Sequence, residues 1–132
     1  MKCIDKIALL YIKDRQVLSS RSKGKDTYYL PGGKREGSET DEETLIREVK
    51  EELSVDILPE TIQYYGTFEA QAHGHSEGII VRMTCYTAEF SGVLKADNEI
   101  EELRWFGAEG ARLSSPVDML IYSDMVENGL ID

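Results

Sequence analysis

Three glutamates, Glu48, Glu51 and Glu52, fall within five residues of the stretch REVKEELSV, residues 47–55. Successive residues of a helix turn by about 100°, so Glu51 and Glu52 stand roughly 60° to one side and 40° to the other of Glu48. All three carboxylates then face one way. Like charges at this spacing repel by a few tenths of a kcal/mol per pair, and Arg47 and Lys50 offset that only in part. A divalent cation would remove the conflict, because Mg²⁺ and Mn²⁺ take hard oxygen ligands and enter sites through carboxylates together with substrate phosphates. A solvated acidic helix face is the competing reading of the same residues.

The elements around the cluster follow from local signals. Thr40 and Glu43 have capping-box spacing, with Ser38 as a rival N-cap, and Leu45, Ile46, Val49 and Leu53 recur at helical intervals, so one stripe of this helix is buried. Upstream, Cys3–Ile12 and the run QVLSSR are apolar pieces separated by polar KDR, which reads as a hairpin. Tyr28–Gly33 is a further extended piece, ended by Pro31 and two glycines and followed by a polar loop. Downstream, Val55–Leu58 and Ile62–Phe68 read as strands interrupted by Pro59, Gly78–Phe90 as the clearest long strand, and EELRWF as a short one. Ser115-Pro116 opens a final helix stopped by Gly129, with Val117, Leu120, Ile121, Asp124 and Met125 at helical spacing. The expected fold is mixed α/β (α+β), one domain over residues 1–132, with helices covering a mixed sheet.

A formal charge of −10 argues against a non-specific nucleic-acid surface, so a polyanionic substrate would need a cation as intermediary. Cys3 and Cys85 are far apart and outside any CxxC pairing, which fits a reduced intracellular protein. The apolar run Ile7–Ile12 is too short for a signal-peptide core, and no stretch reaches the length of a membrane span. A cytoplasmic protein is the expectation.

Reading backward from the cluster gives Gly33, five residues, Glu39, seven residues, then Arg47-Glu48-Val49-x-Glu51-Glu52-x-Ser54-Val55. This resembles the Nudix box, Gly-x5-Glu-x7-Arg-Glu-U-x-Glu-Glu-x-Gly-U with U a bulky aliphatic residue; six of the seven fixed residues are present over residues 33–55. The departure is Ser54, where the pattern has the glycine that ends the helix. The resemblance implies an α/β/α sandwich and hydrolysis of a nucleoside diphosphate linked to another group, assisted by Mg²⁺ or Mn²⁺. It makes Glu48, Glu51 and Glu52 the metal-binding carboxylates, with Glu52 innermost and the Gly32 backbone carbonyl completing the set. Arg47 would orient the carboxylates, against the alternative of a simple helix pair with Glu51. Gly33 and Glu39 belong to the motif, Glu39 anchoring the loop or the helix N-terminus. The general base would be a box glutamate or one from the later loop ADNEIEELRWF, where Glu99 leads and Glu101 and Glu102 compete.

Substrate contacts are expected outside the box. Arg21 could touch phosphate; of Tyr28 and Tyr29 only one should face a cleft, since side chains alternate along a strand, and it could stack on a nucleobase. Asp118 sits roughly where MutT-like members place a purine-reading residue. His73 and His75, in the polar loop Glu69–Gly78, could bind metal or phosphate but lack a third ligand nearby. The resemblance points to a nucleoside triphosphate, including an oxidised one such as 8-oxo-dGTP. ADP-ribose, other nucleotide sugars and dinucleoside polyphosphates are alternatives, and a catalytically silent nucleotide-binding module is the reading from another class. The apolar stripe of the last helix suits a monomer's core or a homodimer contact.

Overall fold

The structure, a computed structural model, describes residues 2–72 and 78–132, so His73 and His75 lie outside the described residues. In chain order the strands are β1 (Lys2–Leu9), β2 (Ile12–Lys13), β3 (Gln16–Ser22), β4 (Gly32–Gly33), β5 (Asp56–Ile57), β6 (Gln63–Gln71), β7 (Ile79–Thr87), β8 (Phe90–Ser91) and β9 (Ile100–Phe106). Helix α1 (Asp41–Leu53) lies between β4 and β5, and α2 (Pro116–Glu127) follows β9. A mixed sheet has the order β4-β1-β7-β6, with β1 parallel to β7 and the other pairs antiparallel. A second, antiparallel sheet has the order β2-β3-β9, and β5 pairs with β8.

Alternation along the strands divides the core in two. Ile7 and Leu9 of β1 join Leu18, Leu45, Val49, Leu53 and Val55 on the α1 side. Ala8 and the following Leu10 join Val17, Met83, Cys85, Phe106 and the buried residues of α2 on the other. Successive strand residues point to opposite faces, so one short apolar run serves both layers. This is the expected arrangement of helices on both sides of a mixed sheet.

Helix α1 begins as its sequence dictates. Glu43 N donates to Thr40 Oγ1 (3.1 Å) and Thr40 N to Glu43 Oε1 (2.9 Å), so Thr40 rather than Ser38 is the cap. Leu45, Val49 and Leu53 are fully buried, each contributing about 1.5–3 kcal/mol of hydrophobic stabilisation.

Three expectations are corrected. The hairpin forms only at its tip, Ile12 opposite Val17 and Lys13 opposite Gln16, across Asp14 and Arg15, whose positive φ values (53° and 62°) make the tight turn. Its first arm leaves at Leu9 and Leu10, whose amides bond Pro31 O and Tyr86 O, because pairing with β4 and β7 buries β1 on both faces. The strand Gly78–Phe90 breaks at Ala88–Glu89, where it exchanges β6 for β5 as partner. In α2 the buried stripe is Val117, Asp118, Ile121, Tyr122 and Met125, while Leu120 is 46% exposed. At about 100° per residue, Leu120 falls roughly a third of a turn from the centre of that stripe. Among the described residues no helix is long and apolar enough to cross a membrane.

Candidate active site

The glutamates of α1 rise beside the glycine strand β4. Glu52 Oε1 accepts from Gly32 N at 3.1 Å and is otherwise enclosed; burial, with the charges of Glu48, Glu99 and Glu51 adding to it, pushes its carboxyl up to about 8. Glu48 is half-buried, and burial raises its pKa against the pull of Arg47. The two glycines are there for close approach. A Cβ on Gly33 would lie 2.5 and 2.7 Å from the carboxylate oxygens of Glu48, and one on Gly32, at φ +150°, would overlap the Ile7 carbonyl oxygen.

Arg47 ties the cluster to the loop before the helix. Its Nε and Nη2 donate to the two oxygens of Glu39 (2.7 and 2.9 Å), Nη2 also to Lys34 O (3.0 Å), and Nη1 to Glu48 Oε1 (3.0 Å) and, more distantly, Glu51 Oε2 (3.5 Å). Planar bidentate pairing fixes the guanidinium in one pose, which in turn fixes Glu48. Glu39 accepts as well from Glu36 N and Thr44 Oγ1, and the Arg47 guanidinium leads the causes that lower its pKa to about 2. The residue thus joins loop, helix and arginine.

The glutamates border a cleft of about 300 Å³ lined on one side by Glu48, Glu52 and Glu99 and elsewhere by Lys6, Lys34, Ser20, Ser22 and Tyr29. Glu48, Glu51, Glu52, Asn98 and Glu99 also share an open concavity at its edge. Of the three later-loop candidates, Glu99 reaches the cluster. Glu101 and Glu102 instead take Arg21, at 2.8 and 3.1 Å, and Glu102 accepts from Tyr28 OH at 2.8 Å.

The proposed substrate residues separate in the same way. Arg21 is engaged by those two glutamates and by Lys25 O and does not line the cleft. Tyr28 is core, edge-on to Phe106 with ring centroids 5.0 Å apart. Tyr29 faces the cleft and a smaller adjoining cavity of about 110 Å³, with Lys6 Nζ 5.5 Å from its ring centroid. Asp118 is fully buried; Oδ2 accepts from Leu30 N at 3.3 Å, while Oδ1 has no hydrogen-bond partner among the described residues, and burial raises the carboxyl to about 7.

Lys6 and Lys34, which line both cavities, escape a motif-based reading. Lys6 carried a signal nonetheless, as a cation set between Ile4 and Ala8 on the strand face that turns them, and Leu10 beyond, to the α2 side. Lys34 merely follows two glycines.

Among the described residues, no three acidic, histidine or cysteine side chains already stand in a metal-ligand arrangement. Arg47 and the Gly32 amide hold the carboxylate oxygens instead. The donor set still fits a hard divalent cation. Glu52 is a mostly enclosed carboxyl with no ion pair among the described residues, its pKa raised by burial and like charges, and a cation is what would relieve both.

A family model described as NUDIX domain matches residues 5–121. No curated protein matches the chain. Among solved structures, the E. coli ORF135 protein is 24% identical with a TM-score of 0.76, covering 96% of this chain and 91% of that one. A MutT NUDIX hydrolase from Burkholderia pseudomallei is 22% identical with a TM-score of 0.69, covering 83% and 86%. The E. coli dihydroneopterin triphosphate pyrophosphohydrolase is 18% identical with a TM-score of 0.68, covering 89% and 90%. At these identities the structural likeness is one of fold.

Proposed function

The chain belongs to the NUDIX family and is a pyrophosphohydrolase, and from that premise we propose that it hydrolyses the diphosphate linkage of a nucleoside triphosphate with Mg²⁺ or Mn²⁺ held by Glu48, Glu51 and Glu52. The observation that carries this reading is Glu52, a carboxyl enclosed among three others at the wall of a cleft whose remaining polar lining includes Lys6 and Lys34. A bound cation supplies charge neutralisation at the diphosphate oxygens and acidifies water. Gly32 would add its carbonyl to that set.

The chain's own residues do the rest. Arg47 holds Glu48 in place, so the carboxylates need little reorganisation on binding. Glu99, exposed and facing the same concavity, accepts the proton of the attacking water. Lys6 and Lys34 meet phosphate oxygens, and the Tyr29 ring offers a face to a nucleobase entering the smaller cavity. Asp118, fully buried and next in sequence to Val117 of that cavity's lining, is the residue we assign to reading the base, which makes an oxidised purine triphosphate the first substrate to try. One similar structure is named for dihydroneopterin triphosphate and another, with a TM-score of 0.70, for UDP-X, so nucleotide sugars, ADP-ribose and dinucleoside polyphosphates belong in the substrate panel beside triphosphates.

The test is release of phosphate or pyrophosphate from a nucleotide panel. A triphosphate should lead with Mg²⁺, and EDTA should abolish turnover. A nucleotide sugar or dinucleoside polyphosphate hydrolysed faster than every triphosphate would overturn the substrate assignment, and turnover unchanged in EDTA the metal.

A further inference from the structure

A helix leaves its last four carbonyls without amides of its own to accept from beyond its end. In α1 all four are met. Lys50 O accepts from Ser54 N (3.1 Å), Glu52 O from Asp97 N (3.1 Å) and Leu53 O from Lys95 N (2.9 Å), while Glu51 O accepts from the Asn98 side-chain amide (2.9 Å). Three of the four partners come from residues 95–98, the segment that leads into Glu99.

Ser54 stands at the junction. It adopts the left-handed conformation, φ 61° and ψ 29°, which glycine enters freely and a residue with a Cβ does not. Its hydroxyl donates to Asp97 Oδ2 at 2.8 Å. The other oxygen of Asp97 accepts from Asn98 N at 2.7 Å, and Asp97 O accepts from Ile100 N at 2.9 Å, closing a turn around Asn98 (φ 51°) and Glu99. Glu99 O accepts in turn from Lys23 N at 2.8 Å. The path from helix end to Glu99 is therefore short and bonded throughout: Ser54 to Asp97 to the turn.

We propose that Ser54 is a positioning residue whose hydroxyl, through Asp97, sets the 95–99 loop so that Glu99 faces the carboxylates of α1. A glycine at 54 would end the helix with less strain but could not hold the Asp97 carboxylate, leaving Asp97 tied to α1 by its backbone amide alone. The inference rests on the reading that Glu99 acts at the reacting site.

Two variants separate the hydroxyl from the backbone. Ser54→Gly removes hydroxyl and strain together, and Ser54→Ala removes the hydroxyl but keeps the strain. Each is made alone and in a Glu99→Gln background, and kcat, KM and Tm are measured on the triphosphate hydrolysed fastest with Mg²⁺. Both single variants should lose about tenfold in kcat with KM within about twofold, although Ser54→Gly melts higher than Ser54→Ala. Neither should lower kcat further once Glu99 is Gln, because effects routed through one group do not add. Wild-type kcat in both, loss in Ser54→Ala alone following its lower Tm, or an equal loss in the two backgrounds would overturn the inference while Glu99 keeps its role. If Glu99→Gln itself turns over like wild type, the reading of Glu99 fails and this inference with it.

Discussion

At Glu52 the fold encloses a carboxyl among other carboxyls and leaves the Gly32 amide as its neutral partner. Glu52→Gln keeps the shape and an acceptor while removing the charge, so it should retain the far-UV spectrum of the wild type and lose at least about a hundredfold in Mg²⁺-dependent turnover; wild-type turnover would remove Glu52 from the metal set. Glu99→Gln should lower kcat by at least about tenfold, and an effect confined to KM would make it a substrate contact instead. For Asp118 the sign follows from burial. Its carboxyl rises from 3.8 to about 7 in the folded chain, so the stability it confers is complete below about pH 4 and is lost as pH climbs toward 7. Melting curves should show Asp118→Asn gaining on the wild type across that interval and holding a constant lead above it; a lead that does not change with pH would mean Asp118 is ionised throughout. At this scale the glutamates, Arg47, Gly33 and Glu39 were legible because their spacing is fixed along one helix and its leading loop. Lys6, and the separation of Arg21 from the cleft, depend on which strand each side chain lies beside, and that is a long-range outcome.

Helix α1 shows how much a local signal can carry. Its cap and buried stripe were readable because the partners lie within four residues of one another, whereas the departure of β1 from the expected hairpin required knowing that β7 would pair with it 77 positions on, at Lys2 opposite Ile79. The helix end was the least readable feature, since Ser54 breaks the motif and its partners, Lys95, Asp97 and Asn98, come from another loop. The glycine strand makes a contrasting prediction. Gly33→Ala places a methyl group against the Glu48 carboxylate, so it should reduce turnover at least about tenfold while Thr40→Ala, which removes the capping hydroxyl and a methyl group away from the carboxylates, costs about 1 kcal/mol of stability and leaves kcat unchanged. Denaturant unfolding beside steady-state kinetics on both variants checks the pair, and the reverse pattern would show that the position of Glu48 does not matter to the reaction.

For the molecule as a whole, the mixed sheet sits between two cores, and the middle of β1, the end of β3, the short β4, the helix α1 and the loop before β9 meet at one cleft. The fold class was readable from the order of apolar runs, because alternation in β1 and period in α1 both require a layer on either side of a sheet. The identity of the group that enters the smaller cavity was not, since Ile4, Ala72, Val81, Met83 and Val117 are simply apolar residues until the fold lines them up. With a net charge of −10, the molecule repels its own polyphosphate substrate at long range, and attraction must come locally, from the cation and from Lys6 and Lys34 of the cleft. The most direct measurement is therefore hydrolysis of a nucleoside triphosphate by the wild type and by Glu52→Gln, each with Mg²⁺ and with EDTA. Turnover only by the wild type with Mg²⁺ is the predicted result, and equal turnover by both proteins, or by the wild type in EDTA, would contradict it.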